Sequence, residues 1–241
     1  MISLEHVRAL LADPPAFVGG RVTGFCDFAG PGDESVFAVC DGNSTRIVEG
    51  WRHRDTMHSV GKFLNLFRKL GLSGHQIGGD EGYGHQLMDR MAEERYYLRR
   101  ANNGSASAKP NLYANLASEW WSVVGELIEH RRVIIPADEK LVAQLTSRQK
   151  LYDSKGRERL ESKADLRSRG VVSPDRADAL IGAIMLGIFG HGGAITAADM
   201  PWITFGRSAF GPGEPVTFDE EERLTMEGVQ DVSQVGRYPF I

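Results

Sequence analysis

One stretch constrains this chain more than any other: RVTGFCDFAGPGDESVFAV, residues 21–39. Val22, Phe25, Val36, Phe37, Ala38 and Val39 read as two strands, with Gly30, Pro31 and Gly32 supplying the turn between them. Asp27 sits near the end of the first strand, a carboxylate in an otherwise apolar run, and Asp33 follows six residues later. An acid in a core-facing strand costs several kcal/mol of desolvation unless it is paired or holds a cation. Asp27 is therefore either a polar cap at the rim of the sheet or one member of a charged site whose partners lie elsewhere.

The totals exclude several classes. With 241 residues, 41% of them hydrophobic and 25% charged, the chain has the composition of an ordinary soluble globular protein of one large or two small domains. No apolar run approaches the roughly 20 residues that span a bilayer. The first residues, MISLEHVRALLADPP, lack a basic region followed by an apolar one, so no export signal is read and a cytoplasmic location is expected. Folding the hairpin about its turn leaves Cys26 and Cys40 out of register, which predicts free thiols and a reducing compartment. The net charge of −4 does not advertise a nucleic-acid binder, although an average can hide a basic patch.

Taken in order, residues 3–12 form a short amphipathic helix behind a Ser3 cap, and the hairpin is followed by a third strand at 46–51. These three strands make an antiparallel meander. The period then switches: Val60, Phe63, Leu64, Phe67 and Leu70 predict a helix over 57–70, with Gly71 as its C-cap. A short strand over 75–80 ends in Asp80, a helix covers 82–94, and Tyr96, Tyr97 and Leu98 read as another short strand. A helical crossover from the meander to parallel strands gives an α/β fold with a mixed sheet and helices on its faces. After a polar loop at 101–110 comes a long helix with a buried stripe of Leu112, Leu116, Trp120, Val123, Val124, Leu127 and Ile128, Trp121 lying beside it. A brief strand at 133–136 and a helix from Asp138 to Leu145 follow.

Residues 146–170 hold eight Lys or Arg against four acids, with a hairpin tip at 151–157 and a short helix at 163–169. Such a run is usually a solvated face, but a basic hairpin beside an acidic site also suits a polyanion. Ser173-Pro174-Asp175 then starts a helix strongly, with a serine cap, proline at the first position and an acid in the first turn. Residues 21–190 are read as one domain, preceded by a lead-in (1–20) and followed by a Gly/Pro-rich tail (191–241). From 199 onward that tail has eight acids against three arginines and no core of its own. His58, His75, His85 and His130 show no metal-ligand spacing, and no phosphate loop of the form GxxxxGK[ST] occurs.

Three carboxylate positions belong together: Asp27 ending the first strand, Asp80 ending the strand after the first crossover, and Asp175 and Asp178 opening a late helix. In the expected strand order the first and fourth strands are parallel neighbours, so their ends bring Asp27 beside Asp80. The spacing of Asp175 and Asp178 puts both on one helix face. Clustered carboxylates repel unless cations separate them, and oxygen-only ligands favour Mg²⁺ or Mn²⁺. Two such ions roughly 4 Å apart support phosphodiester hydrolysis.

The ordered segments CDFAGPGDES, IGGDEGYGHQLMDRM, NLYANLASEWW, VIIPADEKLVAQL, KLYDSKGRERLESKADLRSRG and SPDRADAL resemble the C-terminal nuclease domain of phage terminase large subunits. The resemblance runs from about Arg21 to Ile188. It implies a ribonuclease H-like fold and a two-metal endonuclease that cuts concatemeric double-stranded viral DNA during packaging, in the cytoplasm of a bacterial host. By position it implies Asp27, Asp80 and Asp178 as catalytic acids binding two Mg²⁺ or Mn²⁺ ions. Asp33 and Asp175 are implied as further metal-site acids, and Arg148, Lys150, Lys155, Arg157, Arg159 and Lys163 as DNA contacts. The portal, the small terminase subunit and a separate packaging ATPase domain are the implied partners.

Two other classes are weighed against this. Actin-like phosphotransferases place an aspartate and a Gly-rich turn after a first strand, but need a second phosphate hairpin and an adenosine motif, and the sequence has neither. A DNA-binding or portal-docking module that has lost its metals would carry the same acids.

Overall fold

The computed structural model describes residues 2–30 and 33–189, which lie within a compact unit spanning Met1–Gly192. The acidic tail expected at 191–241 lies outside the described residues. A five-stranded sheet in the order β3-β2-β1-β4-β5 organises this unit. Strands β1 (Val22–Asp27), β2 (Ser35–Asp41) and β3 (Ser44–Trp51) form the antiparallel meander, while β4 (Ile77–Asp80) and β5 (Arg99–Ala101) add on parallel to β1. The expected mixed sheet, three antiparallel strands and then parallel ones, is the one formed.

Register decides where the acids go. Asp27 pairs with Val36, Ser35 with Trp51, Cys26 with Gly79, and Asp80 with Ala101. The carboxyl ends of β1, β3, β4 and β5 therefore meet at one end of the sheet. Because strand side chains alternate, Thr23, Phe25 and Asp27 face one side of β1 while Gly24, Cys26 and the following Phe28 face the other.

Helices α2 (Thr56–Lys69) and α3 (Glu81–Glu93) cover the second side. There Phe28 and Phe63 meet edge to face at 5.0 Å between ring centres, Phe37 and Phe67 at 5.1 Å, and Trp51 leans on Phe63 at 4.5 Å. Met88 and Met91 of α3 are buried in the same cluster. Asp55 caps α2 by accepting the Met57 N–H, and Asp80 caps α3 by accepting the Gly82 N–H.

Helix α7 (Asp175–Phe189) covers the first side, running antiparallel to β1. Thr23 Oγ1 donates 3.1 Å to the Ala183 carbonyl, and Phe25 lies against Gly182 so closely that a Cβ there would stand 2.3 Å from the ring. Gly182 is one helical turn beyond Asp178, as Phe25 is one pleat before Asp27. The missing side chain at Gly182 thus brings Asp178 down onto Asp27. Helix α4 (Leu116–Glu129) packs on α7, as does α5 (Glu139–Leu145), and α1 (Leu4–Ala12) packs on α4. The small hairpin β6 (Lys150–Tyr152) and β7 (Glu158–Leu160), followed by α6 (Lys163–Ser168), completes this layer.

Local details differ from the sequence expectation. Residues 96–98 close α3 rather than forming a strand: Arg95 takes a left-handed φ of 63° and the Tyr96 N–H returns to the Met91 carbonyl, so pairing starts at Arg99. Residues 133–136 make one parallel bridge, Ile134 to Ser44, and Pro136 has no N–H to extend it. Residues 74–76 are a turn of 3-10 helix leading into β4. Helix α4 starts at Leu116 behind an Asn115 cap, leaving Leu112 outside it.

Candidate active site

Asp27, Asp80 and Asp178 converge. Together with Asn103, Trp120 and Trp121 they line one small cavity at the carboxyl end of β1 and β4, floored by Phe25 and Ile181. Each arrives on a different element: Asp27 on the last residue of β1, Asp80 on the last of β4, and Asp178 in the first turn of α7. Asp27 is 4% exposed and the Asp178 side chain 9%, so water solvates neither well.

Lys163, the lysine expected on DNA, lies against this cluster. As the first residue of α6, it places Nζ 2.8 Å from Asp178 Oδ2 and is electrostatically coupled to Asp27, Asp80 and Asp175. Burial alone would depress its ammonium pKa. Asp178 and Asp27 outweigh burial and hold it above the ordinary lysine value.

Arg148 is likewise misplaced by a reading of charge alone. It is 6% exposed, lies over the Trp121 ring at 5.1 Å, donates from Nε to the Glu161 carbonyl at 3.1 Å, and reaches Asp178 Oδ1 at 3.5 Å. A buried guanidinium so occupied is a brace for Asp178 and not a free contact for DNA. Trp121 is the residue the sequence reading left beside the stripe. It is buried, and its indole N–H donates 3.1 Å to the same Oδ1. A buried indole needs an acceptor, which is the one signal that marks Trp121 before the fold is known.

These braces split the titration of the acids. Burial would raise Asp178, but Lys163 and Arg148 hold its carboxyl below the ordinary aspartate value. Asp27 goes the other way: burial pushes it well up, Lys163 draws it back, and Asp178, Asp175 and Asp80 push it up again. Asp80 is raised by burial, opposed by the Gly82 N–H, by Lys163 and by the Asn103 side chain. Asn103 comes from the polar loop after β5, which α4 ties down through Ala117 N–H to the Asn103 carbonyl, 3.2 Å.

The accessory acids sit differently. Asp175 is 3% exposed and accepts the Glu34 N–H at 3.0 Å, joining α7 to the β1–β2 loop. Asp33 is half-buried and ion-paired to Arg167 of α6 at 2.8 Å. Glu34 anchors this corner, held by Lys140 and by Arg176 at 3.1 Å, and Arg176 is also paired with Asp138.

The hairpin is less basic than its composition. Lys150 pairs with Glu158 at 2.5 Å across the ladder, and Arg157 pairs with Asp153 at 2.7 Å across the turn. Among the described residues, Lys155 and Arg159 are the hairpin cations left without an acidic partner.

No protein-family model matches the sequence, and no curated protein matches it. Solved structures do match. The nuclease domain of the large terminase subunit gp2 of bacterial virus Sf6 superposes with a TM-score of 0.62 at 17% identity, over 76% of this chain and 97% of that one. The fold is that of a phage large-terminase nuclease domain. A mutant of the Sf6 domain with manganese and beta-thujaplicinol gives 0.64 at 17% identity, over the same shares of both chains. The large terminase nuclease from thermophilic phage G20c with bound magnesium gives 0.55 at 17%, over 77% of this chain and 97% of that one.

Proposed function

We propose that the chain is a metal-dependent endonuclease that cleaves double-stranded viral DNA concatemers during genome packaging by two-metal hydrolysis. The observation that carries this is the convergence of Asp27, Asp80 and Asp178, from three separate elements, on one poorly solvated cavity. Three carboxylates against the two cations Lys163 and Arg148 leave the cavity short of positive charge.

The donors fit a hard divalent ion. All three acids offer oxygen, and the buried Asp178 Oδ2 has no aligned hydrogen-bond donor, although Lys163 stands beside it. Among the described residues no three His, Cys, Asp or Glu side chains form a ready-made coordination shell. Mg²⁺ or Mn²⁺ at such a site supplies an activated water and charge stabilisation of the leaving oxygen. The chain's own part is to orient: Trp121 and Arg148 hold Asp178 Oδ1, Asn103 and the Gly82 N–H hold Asp80, and Lys163 keeps Asp178 ionised. Asp175 and Asp33 lie nearby as outer acids at the β1–β2 loop. Lys155 and Arg159 are the hairpin contacts for duplex phosphates. The portal, the small terminase subunit and a packaging ATPase are the partners, in the cytoplasm of a bacterial host. No helix among the described residues is long and apolar enough to cross a membrane.

A second reading rests on Lys163, whose ammonium already neutralises part of the cluster: a DNA-binding module that does not cut. One experiment separates the two. Supercoiled plasmid incubated with the protein and Mn²⁺ or Mg²⁺ is expected to be nicked and then linearised, with cutting abolished by EDTA and in Asp80→Ala. Cutting that persists in EDTA, or full activity in Asp80→Ala, overturns the nuclease reading. DNA retained without any cutting favours the second.

A further inference from the structure

The loop between β3 and α2 forms a basic edge on the same end of the sheet as the acid cluster. Ser35 pairs with Trp51 and Asp27 with Val36, so the chain leaves β3 at the end where Asp27 stands. The next three residues, Arg52, His53 and Arg54, are exposed. The His53 and His58 rings stack at 3.8 Å and 18°, and His53 Nδ1 accepts the Asp55 N–H at 3.1 Å, so the loop is braced across the start of α2. Two arginines flank the braced histidine.

The neighbouring acids are already engaged. Asp33 pairs with Arg167, Glu34 with Lys140 and Arg176, Glu49 with Lys62, and Asp55 caps α2. Among the described residues, Arg52 and Arg54 have no such partner. At this edge Asp33, Glu34 and Glu49 are ion-paired, Asp55 is fixed as a helix cap, and two arginines are left facing water.

From these placements we infer that Arg52 and Arg54 form a second phosphate-gripping surface, separate from the β6–β7 hairpin, for the backbone of duplex DNA. The inference rests on the nuclease reading and adds a substrate surface to it. β3 lies two strands from β1, about 10 Å at the usual strand spacing. Phosphates on one DNA strand advance about 3.4 Å along the axis per nucleotide. A strand crossing the sheet end at Asp27 would therefore bring a phosphate over the loop within about three nucleotides of the scissile bond. A braced loop also loses less freedom on binding than a slack one.

The test is duplex binding by fluorescence anisotropy across a salt series, in EDTA so that cutting does not intrude. The full chain is compared with Arg52→Glu/Arg54→Glu and with the charge-matched control Arg8→Glu/Lys69→Glu. Arg8 and Lys69 are exposed, and Lys69 ends α2, about 20 Å along the helix from the loop. The loop variant is expected to bind at least tenfold more weakly and to lose about 2 from the log–log salt slope, with the control near the unmodified chain. Equal losses in both variants, or an unchanged loop variant, overturn the surface while leaving the nuclease reading intact. An unmodified chain that fails to bind duplex also overturns the surface, and the nuclease reading then stands or falls on the plasmid assay.

Discussion

Strand β1 has two faces that solve different problems. Toward α2 and α3 it presents Cys26 and then Phe28 to a buried aromatic cluster with Phe37, Phe63 and Phe67. Toward α7 it presents Thr23, Phe25 and Asp27, and the helix can approach because Gly182 carries no side chain. The first face stabilises; the second spends that stability holding like charges together. A carboxylate cluster is tolerable only on a strand whose opposite face is anchored this firmly.

The comparison can be broken from either side, and the largest effect belongs to the aromatic face. Phe63 is fully buried among Phe28, Phe37, Trp51 and Phe67. Phe63→Ala is expected to cost about 3–5 kcal/mol in chemical denaturation. It should leave Mn²⁺ affinity unchanged wherever the protein remains folded. A large drop in metal affinity would show that the two faces are coupled.

A smaller loss is expected on the other face. Gly182→Ala puts a methyl 2.3 Å from the Phe25 ring, an overpacking cost of about 1–3 kcal/mol. Here the site should move with the stability, because α7 must lift and carry Asp178 away from Asp27. Metal-supported plasmid cutting should fall by more than the stability loss accounts for. Unchanged cutting in a destabilised Gly182→Ala would separate α7 packing from the site.

The last effect is electrostatic and has a definite sign. Asp27 titrates above an ordinary aspartate in the fold, so just above the ordinary value the folded chain binds more protons than the unfolded one. Metal-free stability should therefore fall as pH rises through the Asp27 titration, by about 1.4 kcal/mol per pKa unit of displacement. Asp27→Asn should abolish that decline, and the gap in melting temperature between the two proteins should widen with pH. A constant gap would mean that Asp27 is not the strained acid.

What was legible in the sequence follows the same division. The aromatic face repeats at helical and strand periods, so Val60, Phe63, Leu64 and Phe67 could be placed without a structure. The acids could be located because each stands where a periodic element stops and a turn residue or cap begins. What surrounds them could not. Trp121, Arg148, Lys163 and Asn103 reach the site from separate elements, and the contacts of Trp121, Arg148 and Lys163 with Asp178 depend on how α4, the β6–β7 hairpin and α6 dock. Counting charges overlooks a local pairing in the hairpin: Glu158 and Asp153 stand against Lys150 and Arg157 at cross-strand and cross-turn distance. The paired register of that hairpin, once known, shows which cations remain.

The Trp121 hydrogen bond has a practical consequence. An indole whose N–H ends on Asp178 is an optical probe wired to the carboxylate that the proposed metal must meet. Paramagnetic Mn²⁺ at Asp178 would quench its emission, whereas diamagnetic Mg²⁺ at Oδ2 of this carboxylate would shift the band by altering the hydrogen bond that Oδ1 accepts. Trp120 lines the same cavity, so the difference between the unmodified chain and Trp121→Phe, which keeps an aromatic ring under Arg148, isolates the part of the signal that comes from Trp121. The chain can thus report occupancy of its own site by fluorescence, with no DNA present and no turnover required.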